Sequence, residues 1–242
     1  MIRYTAGLMG AAALLWTPLS AEPPVKGLVA HWTFDEAAGS PIKDLSGKGN
    51  DGVLRGAARV PGKTGNAIKC GQDELVEVPH SEALDAFGEG ITVSAWINRE
   101  ADPTWNMIIS REVKDGPSEY FGLAVVKNKA LFSVDPDGAH YQNIKGEPDV
   151  ASGKWVHLAG TYDNRTFNLY VDGQLARSAP CSIPFRFQDK NPLILGGNTN
   201  TEGKKWVDCF HGRIDEVQLF NRALSAVEIA QLAQPLQRDQ TP

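Results

Sequence analysis

The sequence lacks the features that nucleic-acid binding and membrane insertion require. No dense run of lysine or arginine occurs in its 242 residues, and the formal net charge is −5. A surface that follows the phosphate backbone needs clustered positive charge, so nucleic acid is not expected as a partner. The apolar run from Leu8 to Trp16 is shorter than the roughly 20 residues of a membrane-spanning helix, and Pro18 closes it. No membrane span is expected in the mature chain.

The first 21 residues are typical of a secretory signal. They carry one charge, at Arg3, and the apolar run is followed by the small residues Ser20 and Ala21. This pattern predicts cleavage near Ala21, with a membrane anchor as the competing interpretation. The protein is then secreted, periplasmic or at the cell surface. The expected organisation is a signal peptide (1–21), a short spacer (22–26), one domain (27–234) and a flexible tail (235–242).

Cysteine is scarce, with three residues in the whole chain. An exported protein enters an oxidising compartment, where a disulfide is stable, and an odd number leaves one thiol over. Cys181 and Cys209 lie in loop-like contexts late in the chain, after the Gln174 to Ala179 strand and just before the final strand, whereas Cys70 lies in an apolar, strand-like run. We therefore expect a Cys181–Cys209 disulfide and a buried Cys70 thiol.

The sequence also lacks familiar catalytic motifs. No G-x-S-x-G segment occurs, and the five histidines show no metalloprotease spacing. The chain contains, instead, many glycines and prolines spread along its length, 24 and 15 respectively. That distribution is typical of many short strands joined by turns, and it predicts an all-β sandwich.

Strict two-residue alternation is clearest between Gly153 and Leu175. Apolar residues alternate with mainly polar ones in two runs, which turn signals separate, and Asp172-Gly173 is a hairpin dipeptide. Three consecutive antiparallel strands are expected. Near the chain end, Ser225 and Glu228 form a capping-box pattern ahead of Pro235 and predict one short C-terminal helix.

Seven segments resemble the laminin G-like jelly rolls of the concanavalin A-like lectin/glucanase superfamily. They are GLVAHWTFDEAAG (27–39), DLSGKGNDG (44–52), PGKTGNAIKCGQDELVEVP (61–79), ITVSAWI (91–97), GKWVHLAGTYD (153–163), LYVDGQL (169–175) and GRIDEVQLFNRALSAVEI (212–229). The resemblance implies a two-sheet antiparallel jelly-roll sandwich, one sheet concave and one convex. It does not imply a single function.

A structural calcium site is the first functional expectation. Calcium takes six to eight oxygen ligands, and domains similar to this one often hold calcium between their chain ends. Six acidic and amide residues follow the first strand or lie in the last: Asp35, Asp44, Asn50, Asp51, Asp215 and Glu216. They would meet if the first and last strands are neighbours. The alternative is that Asp44, Asn50 and Asp51 only cap turns.

Hydrolases of this superfamily carry paired carboxylates on one strand, in an E-x-D-x-E or similar pattern, which this chain lacks. Tyr120-Phe121-Gly122 is only a fragment of the strand pattern found in alginate-lyase relatives. A polysaccharide-degrading lyase or hydrolase with an unfamiliar concave-face site stays an alternative. Its candidate residues are Arg111, Glu119, His140 and Tyr141.

The main functional hypothesis is a non-catalytic, lectin-like module that binds a polysaccharide or glycan. Sugars need an aromatic plane for their C–H face and polar groups for their hydroxyls. Trp105 and Trp206 lie in loop-like contexts, unlike the strand tryptophans, and are the preferred stacking candidates. The polar companions are Asn106, Arg111, Tyr141, Asn198 and Asn200. Adhesion to a cell-surface protein through rim loops is a third possibility.

Overall fold

The computed structural model describes residues 24–100, 104–112, 119–186, 190–199 and 205–234. The predicted signal peptide and the predicted tail (235–242) lie outside these ranges. So does Asn200, one of the predicted ligand-binding residues.

The described residues form short strands, one 3-10 turn and one α-helix. The strands are β1 (Leu28–Trp32), β2 (Val53–Arg55), β3 (Ala58–Pro61), β4 (Asn66–Cys70), β5 (Leu75–Val78), β6 (Ile91–Arg99), β7 (Trp105–Glu112), β8 (Glu119–Val126), β9 (Lys129–Val134), β10 (Gln142–Asp149), β11 (Trp155–Tyr162), β12 (Thr166–Val171), β13 (Gln174–Pro180), β14 (Leu193–Leu195), β15 (Asn198–Thr199), β16 (Trp206–Val207) and β17 (Gly212–Phe220). The 3-10 turn spans Glu82–Asp85 and the helix, α1, spans Ala226–Leu232.

Two large antiparallel sheets pack face to face. Sheet A has the strand order β13-β12-β11-β6-β17-β4-β3, and β1 also pairs with β17. Sheet B has the order β10-β9-β8-β7-β14-β5-β2. β15 and β16 pair with each other as a separate two-stranded antiparallel sheet, called here the β15–β16 hairpin. The predicted jelly-roll sandwich with one short C-terminal helix is confirmed.

The chain ends meet in sheet A, as the calcium hypothesis requires. β1 pairs with β17 from Leu28 opposite Phe220 to Trp32 opposite Val217. β17 also pairs with β6 and β4, so it lies inside the sheet. The side chain of Trp32 is fully buried, and its indole Nε1 donates to the Asn50 carbonyl at 2.8 Å.

The predicted three-stranded meander is present as β11, β12 and β13. Leu158 lies opposite Val171, and Tyr162 lies opposite Phe167, so the alternation turns one set of side chains into the sandwich. Leu158, Tyr162 and Leu169 are fully buried in the main core. In the same strand, Gly160 faces Phe132 of sheet B, and a Cβ built on Gly160 would lie less than 3.0 Å from that ring. The absence of a side chain at Gly160 sets the local spacing of the two sheets.

The helix α1 begins and ends as its sequence signals predict. The Ser225 hydroxyl accepts from the Glu228 backbone N–H, and the Glu228 carboxylate accepts from the Ser225 backbone N–H, which completes the capping box. Ile229 and Leu232 are buried in a small cluster with Phe220 and Tyr170, on the outer face of sheet A.

The expectation of loops around two tryptophans is corrected. Trp105 and Trp206 were expected in loops, but Trp105 begins β7 and Trp206 begins β16. The polar segment after Gly138 contains a strand, β10, which pairs with β9 from Gln142 opposite Val134 and has a register shift after Lys145. Polar edge strands give little hydrophobic alternation, because only Ile144 and Gly146 of β10 are buried.

Candidate functional site

An open cleft of about 510 Å³ lies on the face of sheet B that points away from the main core. On β8, Phe121, Leu123 and Val125 point into the core, while Ala124 and Val126 belong to a separate outer cluster. The cleft is lined by Trp105, Met107, Glu119, Tyr141, Asn198 and Asp208, together with Asp135, Gly138 and Ala139 of the β9–β10 connection.

An irregularity in sheet B turns Glu119 into the cleft. The β7–β8 register shifts between the Arg111–Phe121 and Glu112–Glu119 pairs. Such a bulge reverses which face a strand residue occupies, and bulges are common beside functional sites. As a result Tyr120 and Phe121 both contribute to the core, and Glu119 faces outward.

Glu119 forms the polar floor of the cleft. Its Oε1 accepts from the Ser133 hydroxyl at 2.6 Å and from the Tyr141 hydroxyl at 3.2 Å. Burial raises the pKa of the Glu119 carboxyl, and these hydrogen bonds only partly offset that effect. The Tyr141 phenol is held in place by the same contact, and burial also raises its pKa.

The rim of the cleft combines an aromatic ring with an amide and a carboxylate. The Trp105 side chain is 37% exposed, in contrast to the fully buried Trp32. The Asn198 Oδ1 accepts from the Ser110 hydroxyl at 2.9 Å and from the Thr199 N–H at 3.1 Å, which fixes the amide. Asp208 is exposed and has a φ of 50°, and its backbone carbonyl accepts from the Met107 N–H at 2.9 Å.

The charge around the cleft is negative. Glu112 lies next to Glu119 across β7 and β8, and its pKa is raised to about 7. Burial is the largest cause, followed by the negative charges of Glu119 and Asp208. Asp208 is exposed as a whole residue, but partial desolvation of its carboxyl raises its pKa.

Three of the predicted calcium ligands lie in the 44–51 loop and cap its turns. The Asp44 Oδ1 accepts from the backbone N–H groups of His31 and Ser46, at 3.0 and 2.8 Å. Its Oδ2 accepts from the Ser46 hydroxyl and from the Asn50 N–H. The Asp51 Oδ1 accepts from the Asp44 N–H, and the Asn50 amide donates to the Val29 carbonyl. These hydrogen bonds are those of the turn-capping alternative.

Two of the other three, Asp35 and Asp215, lie near the β3–β4 hairpin. The Asp35 Oδ1 accepts from the Asn66 N–H at 2.7 Å. The Asp215 Oδ2 accepts from the Lys63 and Thr64 N–H groups, at 2.8 and 3.0 Å. The pKa of Asp215 is raised to about 7, mainly by burial and further by the charge of Glu216.

Glu216 instead pairs with a histidine, because its Oε2 lies 2.8 Å from the His31 Nε2. Among the described residues, no three histidine, cysteine or acidic side chains form a group that could hold a metal ion. The six residues do not converge on one point, and calcium binding stays a prediction.

The structure contradicts the predicted Cys181–Cys209 disulfide. All three cysteines are free and buried. The Cys181 N–H donates to the Arg165 carbonyl in the β11–β12 turn of sheet A. Cys209 forms an isolated bridge with Met107 of sheet B. Similar loop-like contexts in the sequence did not mean proximity, because the two loops attach to different sheets.

A family model described as the concanavalin A-like lectin/glucanases superfamily matches residues 71–230, which is more than half of the chain. The chain belongs to this superfamily. The resemblance inferred from the seven sequence segments is confirmed. The sequence gives no match among curated proteins.

Solved structures share the fold of this lectin/glucanase-superfamily chain. The binding domain of Paraclostridial Mosquitocidal Protein 1 aligns with a TM-score of 0.68 and 16% identity, over 86% of this chain and 52% of the toxin domain. The binding domain of botulinum neurotoxin DC, in complex with rat synaptotagmin II, aligns with a TM-score of 0.69 and 16% identity, over 87% and 52%. The chain spans about half the length of these two toxin domains.

Domain 4 of a GH43 extracellular arabinanase from Geobacillus stearothermophilus, in complex with arabinotriose, aligns with a TM-score of 0.65 and 21% identity. The alignment covers 86% of this chain and 98% of that domain. At these identities the likeness establishes the jelly-roll fold. Within the described part of the chain, no helix is long and apolar enough to cross a membrane.

The superfamily fold brings three of the predicted ligand-binding residues together in the cleft: Trp105, Tyr141 and Asn198. Asn106 is fully buried, and its Oδ1 accepts from the His211 N–H. Trp206 is half-buried in the β15–β16 hairpin, opposite Thr199, and does not line the cleft.

Arg111, a candidate for both binding and catalysis, points away from the cleft. It is fully buried, and its guanidinium donates to the Leu84 carbonyl at 2.6 Å and to the Asp85 carboxylate at 2.8 Å. His140 lies on the surface and pairs with Asp137. The four residues suggested for an unfamiliar catalytic site therefore do not assemble, although Glu119 and Tyr141 do touch.

Proposed function

We propose that this protein is an exported, lectin-like module that binds a polysaccharide or glycan, without catalysing its cleavage, in the cleft on sheet B. The observation that carries the proposal is the partly exposed Trp105 ring at the rim of a polar cleft of about 510 Å³. An indole plane suits the C–H face of a sugar ring, and this contact supplies most of the apolar area that binding buries.

The polar groups of the cleft suit the hydroxyls of the same sugar. Asn198 offers an amide, Tyr141 a phenol and Glu119 a carboxylate, which together supply donors and acceptors. Hydrogen bonds to Ser110 and Ser133 hold two of these groups before a ligand arrives. Fixed side chains on a sheet lose little conformational entropy on binding, which favours affinity.

Proteins of the same fold support a glycan as the ligand. The arabinanase domain 4 was solved with arabinotriose, and a botulinum neurotoxin binding domain was solved with SialylT. A synaptotagmin complex of a related toxin domain supports protein binding as the alternative. The Trp105 cleft favours a glycan over a protein as the ligand. The cleft is small and concave, and its polar side chains lie close to one exposed aromatic ring.

A glycan array, followed by titration calorimetry, tests the proposal. We expect at least one glycan class to bind the protein. We expect no reducing ends or unsaturated products to be released during incubation. Binding of a surface protein without any glycan binding would favour adhesion. Release of products would favour the enzyme alternative, for which the contact between Glu119 and Tyr141 is the one supporting observation.

We also propose a calcium site, with Asp35 and Asp215 as its ligands in place of the six residues predicted from the sequence. Asp35 and Asp215 both contact backbone of the β3–β4 hairpin, and Asp215 is a fully buried carboxylate whose pKa is raised by burial. Carboxylate oxygens with nearby backbone carbonyls are the ligands that calcium prefers. Asp35 and Asp215 reach the same hairpin from distant parts of the chain, whereas Asp44 and Asp51 accept hydrogen bonds mainly from the backbone of their own loop and so cap its turns.

Chelation is expected to destabilise the protein if this narrower site binds calcium. An ion that binds only the folded state at about 100 times its Kd adds about 2.7 kcal/mol, so the Tm should fall by about 5 °C or more in chelator. Added calcium should restore the Tm and magnesium should not. Asp35→Asn, which keeps an oxygen to accept from Asn66, should abolish the response. An unchanged Tm in chelator would contradict the proposed calcium site.

A further inference from the structure

The cleft carries several negative charges and no positive ones among the residues that line it in the described part of the chain. Glu119, Asp135 and Asp208 all contribute carboxyl groups, and no lysine, arginine or histidine lines the cleft there. The other lining groups are aromatic, apolar or uncharged. The charged side chains that a bound ligand would contact there are therefore all negative.

The geometry keeps this charge close to the bound ligand. Glu119 is 7% exposed on the floor, so solvent screens its charge weakly. Asp208 lies on the rim, and its carboxylate accepts from no described side chain that would neutralise it. Glu112 lies behind the floor, where the two other carboxylates act on it through space. A concave site with walls of low dielectric concentrates the field of such groups.

We propose, on the basis of the proposed function, that Glu119 and Asp208 are specificity-determining residues that restrict the cleft to uncharged glycans. A uronate or sulfate group bound in the cleft would face both carboxylates, and no lysine, arginine or histidine among the described lining residues would contact it. Like charges brought together on binding cost affinity, and this cost rejects a ligand whose other contacts are the same. The hydroxyls of neutral sugars can donate hydrogen bonds to the same carboxylates, which increases the affinity for these sugars.

Two isosteric substitutions isolate the charge from the shape. Glu119→Gln keeps an oxygen that accepts from Ser133 and Tyr141. Asp208→Asn suits the local backbone, because asparagine tolerates the positive φ of this position. Glu89→Gln serves as the control, since Glu89 is an exposed carboxylate outside the cleft and its loss changes the net charge by as much as either single substitution does.

The test compares neutral oligosaccharides with their uronate counterparts, which differ only in oxidation at C6: gluco- with glucurono-, galacto- with galacturono-, and manno- with mannurono-oligosaccharides. Calorimetric titration is done at about pH 8, above the pKa of about 7 of Glu112, and is repeated at higher pH, because burial also raises the pKa values of Glu119 and Asp208. When a neutral oligosaccharide binds the wild type, we expect its uronate counterpart to bind at least about tenfold more weakly.

The ratio of uronate to neutral affinity should rise about tenfold in the Glu119→Gln, Asp208→Asn double variant and stay unchanged in Glu89→Gln. Equal wild-type affinity for both members of a pair would overturn the proposal, as would an unchanged ratio in the double variant. If none of these sugars binds the wild type and the glycan array is negative as well, the proposed function itself is overturned. Binding of neutral and uronate sugars alike would leave the proposed function standing and remove only the charge selectivity.

Discussion

Trp105→Ala is expected to weaken glycan binding by about tenfold or more. The side chain is 37% exposed at the rim of the cleft, so the indole face is available to a sugar ring. Removing it deletes the main apolar contact, and aromatic contacts of this kind contribute about 0.5–1.5 kcal/mol beyond the area they bury. Calorimetric titration with the glycan selected on an array measures the change.

Two variants make the Trp105 result specific. Trp105→Phe keeps a smaller aromatic face and should retain an intermediate affinity. Trp206→Ala removes a half-buried tryptophan that does not line the cleft, and it should bind as the wild type does. If Trp206→Ala lost binding while Trp105→Ala kept it, the ligand would lie at the β15–β16 hairpin and the cleft assignment would be wrong.

Gly160→Ala is expected to give a large loss of stability for the addition of one methyl group. The new Cβ would lie less than 3.0 Å from the Phe132 ring, which comes from the opposite sheet and is fully buried. Neither sheet can shift alone without disturbing the packed core. Overpacking of this kind costs about 1–3 kcal/mol, and we expect about 3 kcal/mol and a Tm lower by about 6 °C or more.

Thermal unfolding of Gly160→Ala beside Gly88→Ala checks this packing argument. Gly88 has open space around it, since no atom outside its chain neighbours lies within 4 Å of a built Cβ. The Gly88 variant should therefore keep the wild-type Tm. Phe132→Leu should be less harmful in the Gly160→Ala background than in the wild type, because it relieves the clash. Equal Tm values for the two alanine variants would contradict the proposed sheet spacing.

The fold could be predicted from the sequence because its signals are local. Alternation between Gly153 and Leu175 determines which side chains face inward, and the structure has the three strands there. The Ser225–Glu228 capping box gave the start of the helix. Each of these patterns depends on residues within a few positions of one another, so tertiary structure had little opportunity to override them.

The cleft was less predictable because two of its features depend on register. Glu119 faces outward only because of the shift between β7 and β8, and alternation alone would have placed it with Phe121. Arg111 was chosen for its charge, yet it is buried against Leu84 and Asp85, far along the chain. A buried arginine with a carboxylate partner leaves no mark in the local sequence.

Contacts between loops that are distant in the chain were the hardest property to predict from the sequence. Cys181 and Cys209 have similar contexts, but one follows a strand of sheet A and the other pairs with sheet B. Asp208 also escaped notice, although its position next to a short strand and its positive φ place it at the cleft. An isolated aspartate in a polar loop has no sequence feature that separates a binding residue from a solvated one.

The most direct test of the cleft is NMR of the indole N–H groups while a glycan from the array is added. Each tryptophan has one indole N–H, and the Trp105 signal is assigned by its loss in Trp105→Phe. Binding in the cleft predicts a saturable shift of the Trp105 signal and none of the Trp32 signal, whose indole is buried and donates to Asn50. A saturating shift elsewhere, with the Trp105 signal unmoved, would contradict the account.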